Sequence, residues 1–438
     1  MAKKVEIEQT EIEAPYELPD GWKWERLGDF IDTYRGVSYK KTDVHSERLE
    51  NDCLIMRGGN IDEGKINTET DNVYVDKSLV SQNQFVQKND VIIVTSTGST
   101  KVIGRAGISY QNYSDVAFGA FLTLARPNGK AEKTFVNQYF QSPLYRERIR
   151  QLASGVNINN IRLEYITESP FPLPPTLAEQ QRIVNRIETM FEKLDQAQEK
   201  AQSVLDSFET RKAAILHKAF TGELTANWRK ENGVPDDSWE EKTLQDICIK
   251  EITDGTHKTP IYVDEKTGVP FISGKDVSNE IIDWSDLRYI PNELHKELYE
   301  RLAPQVDDIL LSKNGARLGK AAIVETDLVF DIYVTLALLR PNKDLILSRY
   351  LWRIINSPVI QAQIQNHLTG IGMPNLHLRD IKGMTICIPS LEEQQEIVRI
   401  LDNVLEKESH AKEAAQTVLD QIALLKKSIL ARAFRGEL

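Results

Sequence analysis

TLAEQQRIVNRIETMFEKLDQAQEKAQSVLDSFETRKAAILHKAFTGEL, residues 176–224, is written twice in this chain. SLEEQQEIVRILDNVLEKESHAKEAAQTVLDQIALLKKSILARAFRGEL occupies 390–438. At a constant offset of 214 without a gap, the copies share Leu177/Leu391, Glu179/Glu393, Gln180/Gln394, Gln181/Gln395, Val204/Val418, Leu205/Leu419 and a closing Ala-Phe-x-Gly-Glu-Leu. Such self-similarity is an internal duplication, which governs every later assignment.

Within the first copy, apolar residues recur at Ile183, Ile187, Met190, Leu194, Ala197, Ala201, Val204, Phe208 and Ile215, interrupted at Arg211. In the second they fall at Ile397, Leu401, Val404, Ala411, Ala415, Val418, Ile422, Leu425 and Ile429, interrupted at Glu408. Alternating steps of three and four are heptad spacing, so each copy is expected to be one long helix whose narrow stripe suits another helix. Thr176 with Glu179 and Ser390 with Glu393 read as capping boxes, and Gly222 and Gly436 as C-terminal stops. Each helix should run roughly 65 Å at about 1.5 Å per residue. The expected pairing is antiparallel; the plainer alternative is two solvated helices on separate cores.

Ahead of each helix lies a globular segment, and the two segments are distant copies. LPDGWKWERLGDF at 18–30 answers VPDDSWEEKTLQDI at 234–247, NDVIIVTSTGSTKVIGRAGI at 89–108 answers DDILLSKNGARLGKAAIV at 307–324, and Arg-Pro-Asn recurs at 126–128 and 340–342. Ser-Pro at 142–143 and 357–358 should open a helix in each. Short β-rich runs between Gly and Asn turns, with one or two helices late in each segment, predict α+β modules with a curved, mostly antiparallel sheet. The segmentation is therefore 1–17, a first module at 18–175, a helix at 176–224, a linker at 225–233, a second module at 234–389 and a helix at 390–438.

The 438 residues carry a net charge of −11; the helical copies together hold −3 and the rest −8. That argues against a generic polyanion binder, so any nucleic-acid contact needs cations gathered locally or a partner that supplies the phosphate grip. No apolar run approaches a membrane span and no hydrophobic leader core is present, which predicts a soluble, cytoplasmic protein. Cys53, Cys248 and Cys387 are few and far apart, supporting neither disulfides nor a thiolate metal site. No Walker loop, dinucleotide fingerprint or metal-ligand spacing occurs, so no metal and no catalytic residue is assigned. Asp236 followed by Glu240 and Lys242 imitates a metal-dependent nuclease pattern. The first module begins with the same Pro-Asp and lacks that lysine, so the turn reading is better.

The local cations are in the glycine loops and two neighbouring stretches. Ser96, Thr97, Ser99, Thr100, Lys101 and Arg105 put hydroxyls, glycine backbone and positive charge on one loop; Lys313, Asn314, Arg317 and Lys320 do so in the second module. Arg35, Ser38, Tyr39, Lys40 and Lys41, then Arg57 and Asn60, have counterparts in Thr256, His257, Lys258 and Lys275. Small donors approach phosphates closely, and Arg, Lys and Asn can read base edges in a major groove. Asn157, Asn159, Asn160 and Arg162, with Asn375 and His377, are candidates for the same face.

The duplicated PPLxEQQxIV…ILxxAFxGEL helices and the DGTHKTP stretch at 254–260 together resemble the specificity subunit of Type I restriction–modification enzymes, over essentially the whole chain. The resemblance implies two target-recognition domains, separated by two long antiparallel coiled-coil helices in a circular, pseudo-two-fold repeat. Each would read one half of a bipartite asymmetric DNA site through the major groove. The helices would set the gap and dock two modification (methyltransferase) subunits carrying S-adenosylmethionine; restriction subunits would bring ATP and Mg. This chain itself would be non-catalytic and hold no cofactor. Half-sites read from one face of a duplex lie about 34–36 Å apart, within reach of such helices. Segment 1–17 is expected to complete the circle opposite the linker. The competing reading is a coiled-coil scaffold with protein-binding globular domains.

Overall fold

The computed structural model describes residues 14–62, 64–99, 101–154, 160–278, 280–368 and 374–438. It divides into two compact units, 1–201 with 417–438 and 202–416, so each unit holds one α+β module, the start of one long helix and the end of the other. The helices run Leu177–Phe220 and Leu391–Phe434, 44 residues each. Gly222 and Gly436, both at positive φ, follow them as the C-terminal stops expected of glycine.

The first module is built on a five-stranded sheet. Its order is Ile31–Arg35, Leu122–Pro127, Val91–Val94, Ala106–Ile108 and Gly64–Lys65, antiparallel except for the last pairing. A three-stranded sheet joins Val73–Asp76, Asp52–Met56 and Val116–Phe118, and Lys23–Arg26 pairs with Pro170–Leu173. The second module repeats the plan. Thr253–Asp254, Leu336–Leu339, Ile309–Ser312 and Ala321–Ile323 form its main sheet, Arg288–Pro291, Gly268–Ile272 and Asp331–Ile332 a second, and Glu240–Thr243 pairs with Thr385–Ile388. The Ser-Pro pairs do open helices, Pro143–Ser154 and Pro358–His367. Three helices rather than one or two come late in each module, because Lys133–Gln141, Leu163–Thr167, Ser348–Ile355 and Leu378–Gly383 also form. Asn292–Arg301 is a helix that the turn-rich sequence did not announce, and the linker holds one too, Ala226–Asn232, stopped by Gly233 in the left-handed region.

The same pins hold both modules. Arg126 grips the buried Asp90 with two bonds of 2.7 Å, and Arg340 grips Asp308 at 2.8 and 2.7 Å, a bidentate geometry that fixes the central strands. Gly36 and Gly255 hold places where a Cβ would run into the carbonyls of Gly119 and Ile332, so only glycine lets the chain cross there.

The helices tie in at both ends. In the first unit the buried Gln180 accepts from Glu132 N–H at 2.7 Å and donates to Pro174 C=O. Phe434 lies 4.9 Å from the Phe135 ring. In the second, Gln394 accepts from Leu347 N–H at 2.9 Å and Phe220 stacks edge-on at 5.2 Å from Tyr350. The repeated Gln and Phe thus anchor a helix start and a helix end in each module.

The capping boxes are half made. Thr176 and Ser390 hydroxyls accept from the N–H of Glu179 and Glu393, but neither carboxylate turns back. Glu179 pairs with Arg182 at 2.7 Å in solvent; Glu393 is fully buried, accepting from Arg229 and Thr225 at 2.6 Å and Trp239 at 3.2 Å. A guanidinium outcompetes a single backbone N–H for a carboxylate.

The helices are antiparallel: Lys426 pairs with Asp195 and Arg211 with Glu408, so numbering rises along one as it falls along the other. The first stripe packs as spaced, with Ile183, Ile187, Leu194, Val204 and Ile215 buried or half-buried. On the second helix Ile397, Leu401, Val404, Ala415 and Ile422 do so, but Ala411, Val418 and Leu425 are exposed. Leu419 and Lys426 take the expected places of Val418 and Leu425, one residue later. Steps of four-then-three and three-then-four both fit a heptad, and the ion pair of Lys426 with Asp195 accompanies the observed phase.

In the first unit Tyr16 donates to Phe434 C=O at 2.8 Å, under Arg435 and edge-on to Trp24. The part of segment 1–17 within the described residues therefore packs on the end of the second long helix.

Candidate nucleic-acid interface

Each module gathers its loops at one end of the main sheet. In the first, Val94 leads into the glycine loop, which closes where Gly104 N–H donates to Val94 C=O and Val94 N–H donates to Arg105 C=O. Ser96 pairs with Asn160 across an isolated antiparallel step, and in the second module Asn314 pairs with Asn375 in the same way. The duplicated asparagines are thereby brought against the glycine loops. Asn157, Asn159 and Thr100 lie outside the described residues.

In the first module Arg35 ends its strand opposite Thr123 and is exposed, as are Ser38, Lys40, Lys41 and Lys101. Tyr39 is half-buried against the core of the smaller sheet. Ser96, Thr97 and Ser99 are half-buried, with Thr97 Oγ1 accepting from Ser99 N–H. Three candidates are committed elsewhere. Arg57 is ion-paired with Asp71, and Arg105 donates to Ile61 C=O at 3.2 Å. Asn60 is fully buried, accepting from Arg57 N–H and donating to the Asn67 and Thr70 carbonyls. Asn60 shapes its loop, and no edge of its amide is left to face DNA.

In the second module Lys258, Arg317 and Lys320 are exposed, and their charged groups make no hydrogen bond or ion pair among the described residues. Thr256 pairs with Tyr333, His257 is exposed with Nε2 3.2 Å from Asp254, and Lys275 is shared between Asp276 and Asp286. Lys313 departs from expectation: it is buried in an ion pair with Asp254. A lysine kept from water needs its counter-ion, so it braces the loop instead of projecting from it.

Phe121 was not foreseen. It is 69 % exposed at the turn whose carbonyl accepts from Thr95 and Ser96 N–H. Its neighbour Phe118 is buried; alternation along AFGAF was the available signal. The nuclease imitation dissolves: Lys242 bonds Glu240 at 2.7 Å and Asp236 turns to Arg229. Among the described residues no group of His, Cys, Asp and Glu could hold a metal ion, and no helix is long and apolar enough to cross a membrane.

The family model for the Type I restriction modification DNA specificity domain matches twice, at residues 19–205 and 236–418. The chain belongs to this family. Members similar to it include the EcoKI specificity subunit of Escherichia coli K12 and the StySPI specificity subunit of Salmonella potsdam. Each is 28 % identical over 429 residues, covering 96 % of this chain and 90 % of the relative. In fold, this specificity-domain protein is similar to the HsdS subunit of Thermoanaerobacter tengcongensis (TM-score 0.60, 21 % identity, 97 % and 99 % of the two chains). It is also similar to a chain from a structure of a type I R-M system in complex assembly and conformational transition (TM-score 0.70, 20 % identity, 97 % and 100 %). The two matched stretches coincide with the two structural repeats, each specificity domain carrying its module into the following helix.

Proposed function

We infer that this chain is the non-catalytic DNA-recognition subunit of a Type I restriction–modification complex, each module reading one half of a bipartite, asymmetric site. One observation carries the reading: the family's specificity domain is present twice, and each copy holds a cluster of loops presenting cations in a chain of net charge −11. The base-reading candidates are those left free to project: Lys40, Lys41, Lys101 and Phe121 in the first module, Lys258, Arg317 and Lys320 in the second. A protruding arginine or lysine reaches guanine edges in the major groove, and an aromatic ring suits a thymine methyl.

The helices set the gap and dock two methyltransferase subunits. Val418, Leu424 and Leu425, apolar yet exposed on the second helix, are the proposed docking contacts. S-adenosylmethionine belongs to those subunits, and ATP and Mg to restriction subunits that complete the complex in the cytoplasm.

Co-expression with the modification subunit in a methylation-free host, followed by sequencing for modified adenines, tests this. A split motif with a fixed unspecified gap is expected. An assembled, cofactor-bound complex that modifies nothing would leave the scaffold reading in its place.

A further inference from the structure

The two modules differ at one register-matched place. Counting back from the paired Arg126 and Arg340, Thr123 and Ala337 correspond; Arg35 lies opposite the first and Asp254 opposite the second. By the same count Val94 opposite Leu122 matches Ser312 opposite Leu336, so the next residues, Thr95 and Lys313, also correspond. In the second module this place is plugged by the buried Asp254–Lys313 ion pair, with His257 on the other Asp254 oxygen. In the first it is an open cleft of about 520 Å³.

Arg35, Thr95, Ser96, Asn160, Arg162 and Glu164 are among the residues lining the cleft. The guanidinium groups of Arg35 and Arg162, both exposed residues, make no hydrogen bond or ion pair among the described residues. Among the described residues Glu164 is the one acid in the lining against two arginines, so these residues give the cleft a net positive charge. The Ser96–Asn160 pairing holds its walls together.

We propose that this cleft seats the sugar–phosphate backbone of one DNA strand, a phosphate lying between Arg35 and Arg162, and that the second module has no such seat. The proposal rests on the recognition reading above. Groove floors are reached by side chains that project, whereas a recess receives the ridge of the duplex, which is its backbone. Two guanidiniums, hydroxyls and an amide are the donors that phosphate oxygens take. The first module would then supply a larger, salt-sensitive and sequence-independent share of affinity, and the second, braced by its internal ion pair, would depend more on its projecting side chains.

The test is the salt dependence of binding by the assembled complex, on a duplex carrying the mapped site and on one of random sequence. Arg35→Ala and Arg162→Ala should each make the slope of log affinity against log salt less negative by about 0.9 on both duplexes. Across a fourfold rise in salt that is about 3.5-fold less loss of affinity. Arg35→Lys and Arg162→Lys should keep the parental slope, and unchanged unfolding midpoints would exclude misfolding. Loss of discrimination between the duplexes at an unchanged slope overturns the proposal in favour of base reading. Unchanged slope and discrimination overturn it by placing the cleft off the DNA. If the parental complex fails to prefer the mapped duplex, the recognition reading itself falls, a result separate from either.

Discussion

Arg211 and Glu408, where the apolar stripes of the two long helices are interrupted, interrupt them at the same place: the guanidinium Nε lies 2.9 Å from the Glu408 carboxylate. A charge on one seam is answered on the other. Both side chains are partly exposed, so solvent screening holds the pair to about 1 kcal/mol. Arg211→Glu and Glu408→Arg should each destabilise the chain, and the double exchange should recover most of the loss. A denaturant double-mutant cycle measures it, and additive single effects would show that the pairing register is set elsewhere.

Glu393 and Glu179 occupy the same position in the repeat with opposite surroundings. Glu393→Gln leaves Arg229 buried beside a neutral amide and should cost about 3–5 kcal/mol. Glu179→Gln should cost under about 1 kcal/mol, since its pair with Arg182 stands in solvent. Equal costs, read from urea unfolding, would contradict the burial of Glu393.

Phe434→Ala and Phe220→Ala each empty an aromatic site closed by the far end of a helix. About 3–5 kcal/mol should be lost in each case. Limited proteolysis should cut first in the first module for Phe434→Ala and first in the second for Phe220→Ala.

Arg317→Ala should weaken recognition at one half-site only, by about 1–3 kcal/mol if the side chain makes a bidentate base contact. Lys313→Ala should also affect that half, but through a lower unfolding midpoint, because Asp254 loses its buried counter-ion. Equal loss at both half-sites, measured with duplexes altered in one half at a time, would end the independence of the modules.

Burial pushes the Tyr16 phenol up to about 12, with the Arg435 guanidinium acting against the rise. The folded state therefore holds this proton more tightly than the unfolded chain, whose tyrosine titrates near 10. The stabilisation is complete below pH 10 and is lost as pH rises toward 12. Tyr16→Phe should cost about 1 kcal/mol at neutral pH through the lost bond to Phe434 C=O. The difference between parent and variant should shrink across that alkaline window in pH-dependent unfolding.

The helices, their direction and the modular plan were legible because duplication and heptad spacing are strong, local and redundant signals. Gln180 and Gln394 were visible as repeats, but the backbone N–H groups they accept from come from 48 and 47 residues away and leave no pattern. The second seam slipped by one residue because Val418 and Leu425 fit the period as well as Leu419, and only the partner helix decides between phases. Among site residues, exposure of Lys101, Lys258 and Arg317 followed from loop chemistry. The withdrawal of Lys313 and Asn60 did not, since a buried lysine or asparagine is made by distant partners, Asp254 in one case and the Thr70 carbonyl in another. The cleft beside Arg35 was illegible for the same reason: a space is lined by residues that sequence keeps apart.

Phe434 has a consequence for synthesis. Its ring belongs to the aromatic core that includes Phe135, Tyr139 and Phe434 itself, yet the ribosome adds it about three hundred residues after Phe135. At the usual pace of about 5–20 residues per second, the nascent first module waits tens of seconds with an apolar socket open to water. The second module receives Phe220 before any of its own strands is made. The domain translated first is thus completed last, and that interval is when the chain is most exposed to proteases and aggregation.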